Sequence, residues 1–172
     1  MKDLVINFVG LQEGKHDFQF EITDEFFESI EYSEIPKGQV AVDLILEKKP
    51  GMMILNFTFK GFIQVTCDRC ADNFNFPIDQ QDKLVVKVGG KGEEGQSTEE
   101  VLFLAAGEYQ LDLTHFIYET LQLALPLKIV HPDDASGKST CNQEIIKKLE
   151  QLSTSSNDKT DPRWDILKSF SN

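Results

Sequence analysis

Cys67-Asp68-Arg69-Cys70 is the segment whose residue types and spacing most readily do chemistry. Two thiolates separated by two residues can reach one tetrahedral metal ion from a tight knuckle. A structural zinc usually takes four ligands, and the sequence offers two further good donors in one later stretch, His131 and Cys141. Asp133 and Asp134, in the same stretch, are weaker ligands. The completed set would be Cys67, Cys70, His131 and Cys141, and it would clip a C-terminal loop onto a β-knuckle. The plain alternative is a set of reduced, metal-free thiols. A thioredoxin-like pair would sit at a helix start within a βαβ unit, where the helix end lowers the thiol pKa. Here the pair follows a long alternating run, although Arg69 beside it could also lower a thiol pKa and leave a redox sensor open.

Ser136-Gly137-Lys138-Ser139-Thr140 imitates the end of a phosphate-binding loop. The full pattern requires a glycine at position 132, where this chain has Pro132. Proline donates no N–H and cannot take the glycine conformations that wrap a phosphate, so a turn with a Ser/Thr cap is the better reading. His16 and His115 read as surface or cap residues. Most of the thirteen Phe fall on the apolar faces of alternating runs. Phe62, out of phase and near Lys60, is the one candidate for stacking on a base, weighed against packing under a covering helix.

These residues need elements to hold them. Phe18, Phe20 and Ile22 alternate with polar neighbours, as do Val40, Val42, Leu44 and Leu46, and then Leu55, Phe57, Phe59, Gly61, Ile63 and Val65. That period of two predicts half-buried strands, and Lys48-Lys49-Pro50-Gly51 between two of them predicts an antiparallel hairpin. The cysteine pair ends the longest run, and Phe74, Phe76, Ile78, Leu84, Val86 and Val88 continue the period beyond it. Thr23-Asp24 caps a short helix through Phe26, Phe27 and Ile30. The spacing shifts to 3.6 in Leu113, Phe116, Ile117, Leu121, Ala124 and Leu125, with Asp112 as cap and Pro126 as stop. Leu127 to Val130 reads as a short strand, and Ile145, Ile146 and Leu149 mark another helix. The fold class is therefore α+β, a mainly antiparallel sheet or partial barrel in the first half with helices in the C-terminal half. Residues 1–152 read as one domain with an acidic mobile loop near 89–100, and 153–172 as a polar linker with a short helical arm.

Twenty-nine acidic residues against seventeen basic ones give a net charge of -12. Such a field repels phosphate backbones and argues against a general coater of nucleic acid. It leaves room for a local RNA contact or a basic protein partner. The basic residues closest to forming a patch are Lys147, Lys148, Lys159, Arg163 and Lys168, with Lys60, Arg69, Lys83 and Lys87. No stretch is long and apolar enough for a membrane helix, the N-terminus has no signal-peptide core, and three cysteines make no disulfide framework. These features predict a cytoplasmic protein.

Three segments together resemble the YceD family of large ribosomal RNA subunit accumulation proteins. They are Val65-Thr66-Cys67-Asp68-Arg69-Cys70 with Phe74 and Phe76; Leu111-Asp112-Leu113 through Glu119 to Leu123-Ala124-Leu125-Pro126 and His131-Pro132; and Asp161-Pro162-Arg163-Trp164 with Leu167. Many relatives carry further cysteines after the Leu-Ala-Leu-Pro run, where this chain has His131 and Cys141. The resemblance implies a non-enzymatic role in accumulation or processing of large-subunit ribosomal RNA. The partner would be that RNA or a basic ribosomal protein, with no small-molecule substrate. A thiol- or zinc-dependent regulator using Cys67 and Cys70 is the alternative.

Overall fold

The computed structural model describes residues 4–89 and 101–152. Strand β1 (Val5–Asn7) pairs antiparallel with β7 (Gln110–Asp112) in a small sheet. The main sheet runs β2 (Gly14–Ile22), β3 (Gly38–Lys49), β4 (Met52–Thr66), β5 (Asn73–Val88) and β6 (Val101–Leu104) in spatial order. The first four form an antiparallel meander, and β6 lies parallel to β5. Three helices complete the described chain: α1 (Asp24–Glu28), α2 (Thr114–Leu123) and α3 (Gln143–Leu152). The acidic segment at 90–100 and the arm at 153–172 lie outside the described residues.

The alternation read from the sequence is the alternation of burial. Val40, Val42, Leu44, Leu46, Leu55, Phe57, Phe59, Ile63 and Val65 all face one buried side of the meander. Burying each such side chain contributes about 1.5–3 kcal/mol. The opposite face carries Asp43, Asn56, Lys60 and Lys83 in exposed positions. Gly61 is the strict position of β4. A Cβ there would lie 2.0 Å from the Gln39 carbonyl oxygen, so only glycine lets β3 pass so close. Phe62 shares the open face with Lys60 and is half-buried against its β3 partner Gln39, lining a cleft of about 430 Å³.

Helix α2 covers the buried face. Ile117, Tyr118, Thr120 and Leu121 are buried, and the Phe116 ring meets that of Phe57 at 4.9 Å. The helix starts one residue later than a cap at Asp112 would place it. Asp112 still serves it, because its Oδ1 accepts the Thr114 N–H at 2.8 Å. At α1 the boundary falls at Thr23, without a side-chain cap bond, while Asp24 accepts the Gly38 N–H instead. Two strands escaped the sequence reading, β6 and β7, because three or four residues are too few to display a period. The strand expected at Leu127–Val130 is a loop, with Leu127 fully exposed. No described helix is long and apolar enough to cross a membrane.

Candidate metal centre

The cysteine pair sits in the turn from β4 to β5, at the tip of the longest hairpin. The chain closes on itself there: the Cys67 N–H donates to the Asp72 carbonyl, and the Cys67 carbonyl accepts the Ala71 N–H, both at 2.9 Å. Ala71 takes a φ of 60°, a left-handed conformation uncommon for a residue with a Cβ. The Arg69 N–H points at Cys67 Sγ at 3.4 Å. The knuckle thus turns both thiols inward, and Cys67 and Cys70 are buried.

The other half of the site arrives on the chain after α2. Asp68, inside the cysteine pair, holds that chain by two bonds. Its N–H donates to the Ile129 carbonyl at 2.7 Å, and its Oδ2 accepts the Ile129 N–H at 2.6 Å. Two residues on, the His131 ring lies against Phe74 at 4.4 Å. Asn142 donates to the Asp72 carboxylate at 3.0 Å and fixes the far end of the loop beside Cys141. Ile145 and Ile146 of α3 then pack over the three thiols. Asp68, Asp72 and Asn142 were not singled out from the sequence. A polar residue between paired cysteines is the only local signal, and it carries no indication of its partner.

Cys67, Cys70, His131 and Cys141 therefore meet, with one donor atom each and all four within 4.8 Å of one another. Cys67 Sγ lies 3.8 Å from Cys141 Sγ, and Cys70 Sγ lies 3.5 Å from His131 Nδ1. Zinc–sulfur bonds of about 2.3 Å put sulfurs about 3.8 Å apart on a tetrahedron, and a sulfur–imidazole edge comes to about 3.6 Å. The two edges agree with those separations, so the donor set is compatible with a single tetrahedral metal ion. Burial pushes the Cys67 thiol up, but backbone N–H groups of Cys70, Arg69 and His131, and then the His131 ring, bring it down to about 6. Cys70 moves the other way. Burial raises it, and the Cys67 and Cys141 thiols beside it add to the rise against the backbone of Asn142 and Asp72. One thiol is thus inclined to be a thiolate within a cluster that resists a second charge. A bound cation would relieve that conflict.

The weaker ligands stay out of the cluster. Asp134 instead fills its own turn: its Oδ1 accepts the Ser136 N–H, the Ser136 hydroxyl and the Lys138 N–H at 2.6–2.9 Å. Those bonds hold its carboxyl below the usual range, the Ser136 hydroxyl contributing most. Gly137, at φ 76°, closes the turn. The Ser136 and Lys138 N–H groups are therefore occupied by a carboxylate of the same loop and that of Gly137 by the Asp134 carbonyl, and the resemblance to a nucleotide loop ends there. His115 is exposed and pairs with Glu119 at 2.9 Å, and His16 bonds the Gln12 carbonyl. Arg69 is exposed and its guanidinium reaches the Ser139 hydroxyl at 3.5 Å.

Comparison with known proteins adds the family. The model of the large ribosomal RNA subunit accumulation protein YceD matches residues 55–171, which includes all four donors and more than half of the chain. No curated protein and no solved structure matches the chain. The chain belongs to the YceD family of large ribosomal RNA subunit accumulation proteins.

Proposed function

We propose that this protein is a non-enzymatic cytoplasmic factor for accumulation or processing of large-subunit ribosomal RNA. It works by holding a segment of that RNA or a basic ribosomal protein, and one structural zinc sits on Cys67, Cys70, His131 and Cys141. The observation that carries this reading is the convergence of four soft donors from two distant parts of a chain in this family. Four protein ligands leave a zinc ion no open position for a reacting molecule, so the ion would clip the corner together and do no chemistry of its own. The protein residues do the rest: Asp68 sets the loop height, Phe74 backs the imidazole, and α3 shields the thiols from water.

Tagged protein recovered from lysate at low salt should carry large-subunit precursors, and freshly purified protein should carry one zinc per chain. Recovery of no ribosomal component would overturn the ribosomal role. A second reading, a thiol-based regulator, draws on the lowered Cys67 pKa and the 3.8 Å between Cys67 and Cys141. Metal analysis with thiol titration separates the two, since a reactive pair in metal-free protein would favour the regulator.

A further inference from the structure

The buried face of the sheet is mainly apolar; His16, Lys48 and Gln80 share its side with Asp82, and His16 and Lys48 are bonded to carbonyls of Phe8, Leu11 and Gln12. The register aligns Phe18, Leu44, Phe57 and Asp82 across β2 to β5, so a carboxylate stands on the side that α2 covers. Helix α2 does not close over it. A cleft of about 660 Å³ opens between Asp82 and the residues Phe116, Glu119, Gln122 and Leu123. Leu123 at its lip is 81% exposed.

The polar atoms around this cleft include more open acceptors than donors, because the Tyr118 and Thr120 hydroxyls donate to the Tyr32 carbonyl and to Asp82. Asp82 receives the Lys83 N–H and the hydroxyl of buried Thr120, one bond on each oxygen, which leaves lone pairs on both. Glu119 meets His115 through Oε1, its one charged partner among the described residues. Gln122 spends its amide N–H on Glu34, and its Oε1 is buried without a donor among the described residues. A buried acceptor left unpaired costs about 1–3 kcal/mol. Lys83, the next residue after Asp82, projects to the opposite face of the sheet. The cleft thus has two carboxylates, an orphaned carbonyl oxygen and apolar walls, and no cationic side chain among its described lining residues.

We propose that this cleft takes an arginine side chain presented by a basic protein partner. A guanidinium has five N–H donors in a planar fork, always charged, and its stem and face lie well against Phe116 and Leu123. Phosphate is the wrong sign for Asp82 and Glu119, and a second copy of a chain carrying -12 is repelled. The inference rests on the reading of the protein as a docking factor, and it chooses a basic protein over RNA at this surface.

The test uses the full chain and a labelled nine-residue peptide of alternating arginine and leucine. Wild-type protein binds it, and Glu119→Lys or Leu123→Lys weakens binding by about tenfold or more, as for loss of a central charged or apolar contact. Both positions are exposed, so the variants fold. Asp43→Lys, on the open sheet face, changes binding less than about twofold if the cleft is the site. Replacing arginine by citrulline abolishes binding. An equal loss in Asp43→Lys would reduce the effect to bulk charge and overturn the proposal, as would no binding by wild type. Binding only after Arg163→Ala would put the chain's own segment in the cleft and also overturn it. Precursor recovery by the wild type is scored separately. Precursors without peptide binding sink the cleft alone, whereas peptide binding without precursors leaves the cleft standing and sinks the ribosomal role.

Discussion

Phe57 in the middle of β4 and Cys67 ten residues along the chain are equally out of water, each 1% exposed, but different things replace the water. Phe57 stacks on Phe59 at 5.8 Å, tilts against Phe116 and belongs to the large core that spans the sheet and α2. Cys67 has around it two other thiols and a few half-buried side chains: Phe74, Val130, Ile145 and Ile146. The sheet buries enough apolar surface to hold itself. The corner is a satellite cluster whose inward groups are sulfur and imidazole, and it closes two chain segments that no strand ladder joins. A shared degree of burial therefore conceals two environments, a broad apolar core in the sheet and a cluster of thiols and imidazole at the corner, which the proposed zinc would hold together.

The strongest way to break this contrast is at the sheet. Phe57→Ala should cost about 3–5 kcal/mol in urea unfolding, by the same amount with zinc or with chelator present. A loss that depends on zinc would tie the core to the corner and defeat the distinction. Cys141→Ser should behave oppositely. Bound metal falls from one per chain to none, and at free zinc about a thousandfold above the dissociation constant the loss is about 4 kcal/mol. In chelator the same variant should cost less than about 1 kcal/mol, as for a near-isosteric change outside the main core. A chelator-independent loss would make the thiols ordinary packing.

A smaller effect concerns the turn that carries the loop between His131 and Cys141. The Asp134 carboxyl titrates below its ordinary 3.8 in the folded chain, so its bonds stabilise the turn above that pH and are lost as pH falls through the folded value. Protection factors of the Ser136 and Lys138 amides, corrected for the intrinsic slowing of exchange in acid, should therefore fall once the pH drops below the ordinary carboxyl value, while core amides such as that of Phe57 stay protected. In Asp134→Asn the acid step disappears. Smallest of all, Lys138→Ala should change stability by less than about 0.5 kcal/mol and leave the protein as unable to bind nucleotide as before. Measurable nucleotide affinity lost in that variant would mean that the turn is not filled by Asp134.

Much of this division was legible along the chain. The alternation in Val40–Leu46 and Leu55–Val65 reported strands and their buried side, because a pleated strand turns successive side chains to opposite faces. Phe62 stood out of phase in the sequence, but Gly61 read as one more member of the run, and the approach of the Gln39 backbone that requires glycine there is visible only in the fold. Ile145 and Ile146 announced a helix, but that they roof the thiols depended on where the helix lands. The short β6 and β7 carried no period, and the apolar Leu127–Val130 run imitated a strand without having a ladder to join.

The sequence by itself determined which residues can bind soft metal, which faces are apolar, and that Pro132 spoils the phosphate loop, since these are properties of residue type and local spacing. Only the tertiary structure decided that His131, 61 residues from Cys70, and Cys141, 74 from Cys67, arrive at one point. The same holds for Asp82 opening onto an acceptor-lined cleft beneath α2. Long closures of this kind are fixed by pairwise contacts such as Asp68 with Ile129, and a contact between distant residues leaves no periodic trace in either of them.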